Sequence, residues 1–161
     1  MKTKYINGVI LINLVILLVY FNFSIVKKEN LLRQGQLILL ELAPVDPRSL
    51  MQGDYMRLNY SISNEDNTEK IPRGFCVVTV DSDQVARFLR FQAHKTSIGE
   101  NETIIEFNDI DGDVSIGSES FFFEEGKAKI YDKARYGGLK VSEKGESILV
   151  GLYDKDFQLI E

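Results

Sequence analysis

Residues 6–26 are 21 consecutive positions without a charge. At ~1.5 Å of rise per residue, a helix of that length reaches roughly 30 Å, the thickness of a bilayer's hydrocarbon core. The run therefore reads as one transmembrane helix in direct contact with the lipid bilayer. A cleaved signal peptide is the competing reading. Its apolar region would span about 7 to 15 residues and end in an Ala-x-Ala-like site. No such site lies between Phe21 and Lys28, so an uncleaved anchor is expected. The only cysteine, Cys76, is far from the amino terminus, which argues against a lipoprotein.

This segment divides the chain. Residues 1–5 form a tail expected in the cytoplasm, 6–26 the transmembrane helix, 27–35 a connector that continues the helix until Gly35 breaks it, and 36–161 a β-rich globular domain. Orientation is nearly balanced, because Lys2, Lys4 and the terminal amine flank one end while Lys27, Lys28 and Arg33 flank the other. Short amino-terminal tails tend to stay cytoplasmic. The expected topology is thus single-pass in the cell (inner) membrane, with the carboxy-terminal domain outside the cytoplasm. Asn13 lies near mid-depth, where an amide either pairs across a helix interface or is tolerated in an otherwise apolar anchor. Asn7 and Asn22 lie nearer the ends, within reach of interfacial water.

Without Lys2 and Lys4, the chain carries 17 basic and 24 acidic side chains, a net of −7. That balance argues against nucleic acid or an anionic lipid surface as a ligand. One cysteine excludes an internal disulfide, and Cys76 sits in the apolar run Phe75-Cys76-Val77-Val78-Thr79-Val80, where a small core residue is expected. Short β-type runs recur at 36–42, 54–62, 75–80, 85–92, 103–107, 114–116, 139–142 and 148–153, several bounded by turn residues. The spacing predicts a mainly β protein: one β-sandwich or barrel-like domain with one short helix. Asp81-Ser82-Asp83 and Lys144-Gly145 are expected to turn hairpins. Helical spacing of Ala128, Tyr131 and Arg135 predicts the helix over 126–136, ended by Gly137-Gly138. Residues 63–70 read as a polar, mobile tip.

The densest local signal is Pro44-Val45-Asp46-Pro47-Arg48-Ser49-Leu50-Met51-Gln52-Gly53-Asp54-Tyr55-Met56-Arg57-Leu58-Asn59-Tyr60. Asp46-Pro47 opens a turn, and Gly53 supplies a permissive dihedral. Beyond it, Tyr55, Arg57 and Asn59 alternate with Met56, Leu58 and Tyr60, as in a half-buried strand. Asp46, Arg48, Asp54, Tyr55 and Arg57 could build an Arg–carboxylate knot that fixes the first strands, or line a binding surface if the knot is open.

Gly53-Asp54-Tyr55-Met56-Arg57-Leu58-Asn59-Tyr60 resembles the signature of the GDYXXLXY proteins, a prokaryotic membrane-associated family. Val45-Asp46-Pro47-Arg48 is similar to that family's lead-in. Phe122-Phe123-Glu124-Glu125-Gly126 is similar to its second motif, adding Glu125 and Gly126 to the candidate positions. The resemblance implies an amino-terminal hydrophobic segment and an extracytoplasmic domain.

Chemistry is harder to assemble from these residues. The stretch from Pro47 to Asp54 is similar to the Pro-x-Leu-x-x-Gly-Asp pattern of membrane signal peptidases. It departs from that pattern where the serine nucleophile should stand, since Pro44-Val45-Asp46 occupies the place and Ser49 follows the proline. Asn108-Asp109-Ile110-Asp111-Gly112-Asp113 lacks EF-hand register and reads as a hairpin turn. His94, the only histidine, leaves a triad or zinc site short of parts, so no catalytic residue, metal or cofactor is expected. Glu124-Glu125 reads either as paired carboxylates or as charges favouring the start of the next helix. The expected function is a non-enzymatic accessory or interaction module for a membrane or envelope protein partner. A membrane-anchored hydrolase-like enzyme using a carboxylate constellation is the alternative.

Overall fold

A computed structural model describes residues 2–43, 55–65, 67, 69–96, 98–110 and 112–160. They fall into two compact units, Met1–Gln34 and Gly35–Glu161. The first is the helix α1 (Lys2–Gln34), which contains a segment long and apolar enough to cross a membrane. It ends where expected, at Gly35.

The second unit is mostly β. Its strands are β1 (Gln36–Glu41), β2 (Tyr55–Arg57), β3 (Arg73–Val80), β4 (Val85–Gln92), β5 (Glu102–Ile110), β6 (Asp113–Ser115), β7 (Ser120–Phe122), β8 (Tyr136–Val141) and β9 (Ser147–Tyr153), with one short helix, α2 (Ala128–Tyr131). Seven strands form a curled half-barrel in the order β6-β5-β3-β4-β1-β8-β9, and β2 and β7 pair as a separate ribbon. All pairings are antiparallel except β1 with β4. The curl brings distant strands together: the Glu106 N–H of β5 donates to the Gly145 carbonyl at the β8–β9 turn, 2.8 Å away.

Period-2 alternation explains the core. Ile38 and Leu40, Cys76 and Val78, Ile105 and Phe107, and Leu139 and Val141 point to one cluster, which Met56, Leu58, Tyr60, Ile62 and Ile71 cover. On the opposite face, Val77 and Ile104 are also buried. On this face Arg90 of β4 forks the carboxylate of Glu102 on β5 at 3.0 and 3.1 Å, bridging the intervening β3. Hydrogen bonds from Arg90, then from the Gly99 N–H, hold the Glu102 carboxyl below its ordinary range.

The Asp81-Ser82-Asp83 and Lys144-Gly145 hairpins form as expected. β5 and β6 pair as a hairpin around Gly112, where φ is +94° and Asp109 accepts from the Gly112 N–H; Asp111 lies outside the described residues. Cys76 is a core residue whose thiol is pushed up to about 12, mainly by burial and then by Glu65.

Several boundaries differ from the sequence reading, those of β3, β5 and β8 among them. The run at 54–62 is β2 for three residues and then changes partners: Leu58 N–H donates to Glu119, Ala43 N–H donates to Asn59, and Tyr60 bridges Leu42 before the 3₁₀ turn Ser61–Asn64. The helix expected over 126–136 shortens to Ala128–Tyr131, because Tyr136, Gly137 and Gly138 pair with Glu41, Leu40 and Leu39. Sheet pairing overrides the local helical spacing. In the 63–70 tip, Asn67 donates to the Ile71 carbonyl and to Asp109 and accepts from the Ile71 N–H, tying the loop to β5.

Candidate functional site

The β2–β7 ribbon joins segments more than sixty residues apart in the sequence: Tyr55 faces Phe122, Met56 faces Phe121 and Arg57 faces Ser120. Each strand is only three residues long and cannot stand alone. Packing holds it. Met56 is buried, and Phe121 meets Tyr131 of α2 edge to face at 4.9 Å between ring centroids, with Phe123 5.5 Å from the same ring. Edge-to-face rings favour this contact beyond the area they bury.

Past Arg57 the chain plunges into the core. Leu58 is buried and Tyr60 has no exposed surface. The Tyr60 hydroxyl donates to the Ser118 carbonyl at 2.8 Å, and Gly137 lies against its ring. A Cβ at Gly137 would sit 2.8 Å from Tyr60 Cε1, so glycine is what lets the phenol ring lie flat on β8. Burial first, and the Glu119 charge second, push the phenol above its ordinary range, so it remains a neutral donor. Glu119 in turn organises the loop that presents Ser118. Its Oε1 accepts from the Ser115 hydroxyl and from the N–H groups of Ile116 and Gly117 at 2.9, 2.6 and 3.1 Å.

The sequence model of one protein family, described as GDYXXLXY protein, matches residues 17–152. The chain belongs to the GDYXXLXY family. No curated protein and no solved structure matches it. In this GDYXXLXY protein the signature strand β2 pairs with β7, whose last residue, Phe122, opens the stretch similar to the family's second motif.

Of the expected site residues, Leu58 and Tyr60 face the core together with their strand neighbour Met56, while Arg57 is exposed. That is the alternation read from the sequence. Asp46, Arg48, Gly53 and Asp54 lie outside the described residues, and Tyr55 takes part through its backbone pairing. Glu125 and Gly126 form a turn after β7, closed by the Lys127 N–H on the Glu124 carbonyl. Gly126 has φ +84°, in the region that side chains rarely adopt, and open space around it. Glu124 and Glu125 are exposed, and Glu124 pairs with Lys127 at 3.2 Å. His94 is exposed beyond the end of β4. Among the described residues no group of three His, Cys, Asp or Glu side chains could hold a metal ion.

Ser118 and Glu119 were not singled out from the sequence, and Gly137 was read only as part of a helix stop. Ser118 and Gly137 take their roles from long-range contacts with Tyr60 that no local pattern encodes, and Glu119 from the turn that presents Ser118. Gly126 gives a direct check on the turn: Gly126→Ala should cost about 1 to 2 kcal/mol through the left-handed backbone alone. Gly126→Asn should cost less, and chemical denaturation of the two variants measures the difference.

Proposed function

We propose that this GDYXXLXY protein is a single-pass protein of the cell (inner) membrane, with a cytoplasmic tail at 1–5, the bilayer segment at 6–26, a connector at 27–35 and the β domain of 36–161 outside the cytoplasm. In this reading the domain is a non-enzymatic accessory module that presents the β2–β7 ribbon to a membrane or envelope protein. The observation that carries it is the ribbon's register. The signature strand meets Phe122 of the second motif there, with Met56, Leu58 and Tyr60 spent on packing while Arg57 and Phe122, the latter 74% exposed, remain on the outside. An exposed guanidinium and an exposed aromatic ring on one ribbon are the composition of a protein-binding surface.

Purification of the full chain in mild detergent tests the reading. A stable partner should accompany the wild type, and Arg57→Glu should reduce its recovery by more than about tenfold, since a reversed charge at an interface is strongly penalised. The melting temperature should not move. A chain that purifies alone, or an Arg57→Glu variant that captures the partner as well as wild type, overturns the proposal. The anchor is checked separately: the intact chain should stay with membranes through a carbonate wash, and a mature form in the soluble fraction that starts beyond residue 20 contradicts it.

A further inference from the structure

In α1, three of the five hydrogen-bonding side chains of the apolar run, Asn13, Tyr20 and Ser24, share one face, and Asn7 and Asn22 lie off it. Ile6, Asn13 and Tyr20 recur every seven residues, and Ile10, Leu17 and Ser24 recur every seven residues between them. Such alternating three- and four-residue steps place all six on one face, the seam geometry of paired helices. Asn22 lies about 180° around the helix from Asn13, at 3.6 residues per turn. It satisfies itself, donating to its own Leu18 carbonyl at 2.8 Å. The exposed Asn13 amide has no such partner among the described residues.

An amide without a partner at mid-depth in hydrocarbon is costly, and another helix is the usual remedy. We propose that α1 pairs in parallel with α1 of a second copy of this chain along this seam, the two Asn13 amides hydrogen-bonded to each other. The inference rests on the membrane-spanning reading above. A second copy is the occupant the chemistry favours. Copies of a chain inserted in one orientation lie parallel, so each seam residue meets its own counterpart at the same depth. An amide both donates and accepts and is therefore complementary to itself. Asparagine at one seam position also fixes register and favours parallel dimers. A different protein would have to place its own amide at that depth.

The test uses the full chain in phosphatidylcholine vesicles, with single cysteines placed on the seam (Ile10→Cys, Leu17→Cys) or opposite it (Val15→Cys, Val19→Cys). Native Cys76 is buried and sets the background. Mild oxidation should yield a disulfide-linked dimer from the seam variants and not from the opposite face. By energy transfer between labelled copies, Asn13→Leu should raise the dimer dissociation constant about three- to thirty-fold, the range of interhelical hydrogen bonds in bilayers. Asn13→Gln, which keeps the amide, should retain most of the association. Equal cross-linking on all faces, no cross-linking, or an Asn13→Leu variant that associates like wild type overturns the pairing, as do seam cysteines that link only to a different protein in native membranes. Retention of the uncross-linked chain through a carbonate wash would defeat the pairing alone. Release of the chain would defeat the membrane reading itself.

Discussion

Tyr60→Ala should destabilise the β domain by about 3 to 5 kcal/mol, the scale for truncating a fully buried aromatic side chain to alanine. The ring has no exposed surface and is packed against Gly137, so its removal leaves a cavity bounded by β8 that the surrounding strands cannot easily fill. Tyr60→Phe separates ring from hydroxyl. It keeps the packing but leaves the Ser118 carbonyl unpaired, at about 1 to 3 kcal/mol. Gly137→Ala should cost about 1 to 3 kcal/mol by forcing a methyl into the ring. It should cost much less in a Tyr60→Ala background, where the ring is gone. That cycle measures the coupling directly, because the two residues share one contact and their effects should not add. Denaturant unfolding of the full chain in mild detergent supplies each value. A Tyr60→Ala midpoint within about 1 kcal/mol of wild type would mean the phenol is not the strut proposed here.

The same contact shows what the sequence discloses. Burial of Met56, Leu58 and Tyr60 on one side, with Arg57 on the other, is legible from period-2 alternation, because a strand's two faces are fixed by the backbone. The uncharged run of 6–26 and the end of α1 before Gly35 are equally local. The β character of the domain is legible from the recurrence of short apolar runs. Partner choice is not. β7 is only Ser120, Phe121 and Phe122, too short for any periodicity, and its pairing with β2 depends on chain closure across some sixty residues. Gly137-Gly138 reads locally as a helix stop. In the fold the pair keeps both faces of β8 clear, for the Tyr60 ring at Gly137 and the Tyr153 ring at Gly138, a role visible only once the sheet is assembled. Ser118 and Glu119 likewise carry no signal of their own, since their value lies in the phenol and the turn that they hold. The expected Asp46, Arg48 and Asp54 knot falls outside the described residues, so the motif's carboxy-terminal half alone supports the structural reading.

Phe121 should divide the ribbon's structural role from its proposed binding role. Its ring stands between the core and Tyr131, and its backbone pairs with Met56, so Phe121→Ala removes the contact that fixes β7 while leaving the seven-stranded sheet untouched. The ring is partly buried, so the expected loss is about 2 to 4 kcal/mol, below that of a fully enclosed aromatic. The loss should also be local. Amide exchange at Met56, Arg57 and Phe122 should accelerate first, while the β3–β4–β5 amides keep their protection, as expected when a weakly held element opens below the global transition. Partner recovery should fall together with ribbon protection in Phe121→Ala. In Arg57→Glu it should fall with protection intact, because an exposed side chain contributes little to the fold. If Phe121→Ala exposes the ribbon amides and partner recovery stays at the wild-type level, the binding surface lies elsewhere on the domain and the ribbon is purely a structural clasp. If ribbon and sheet amides accelerate together, the ribbon is part of the cooperative core, and its separation from the main sheet is topological rather than energetic.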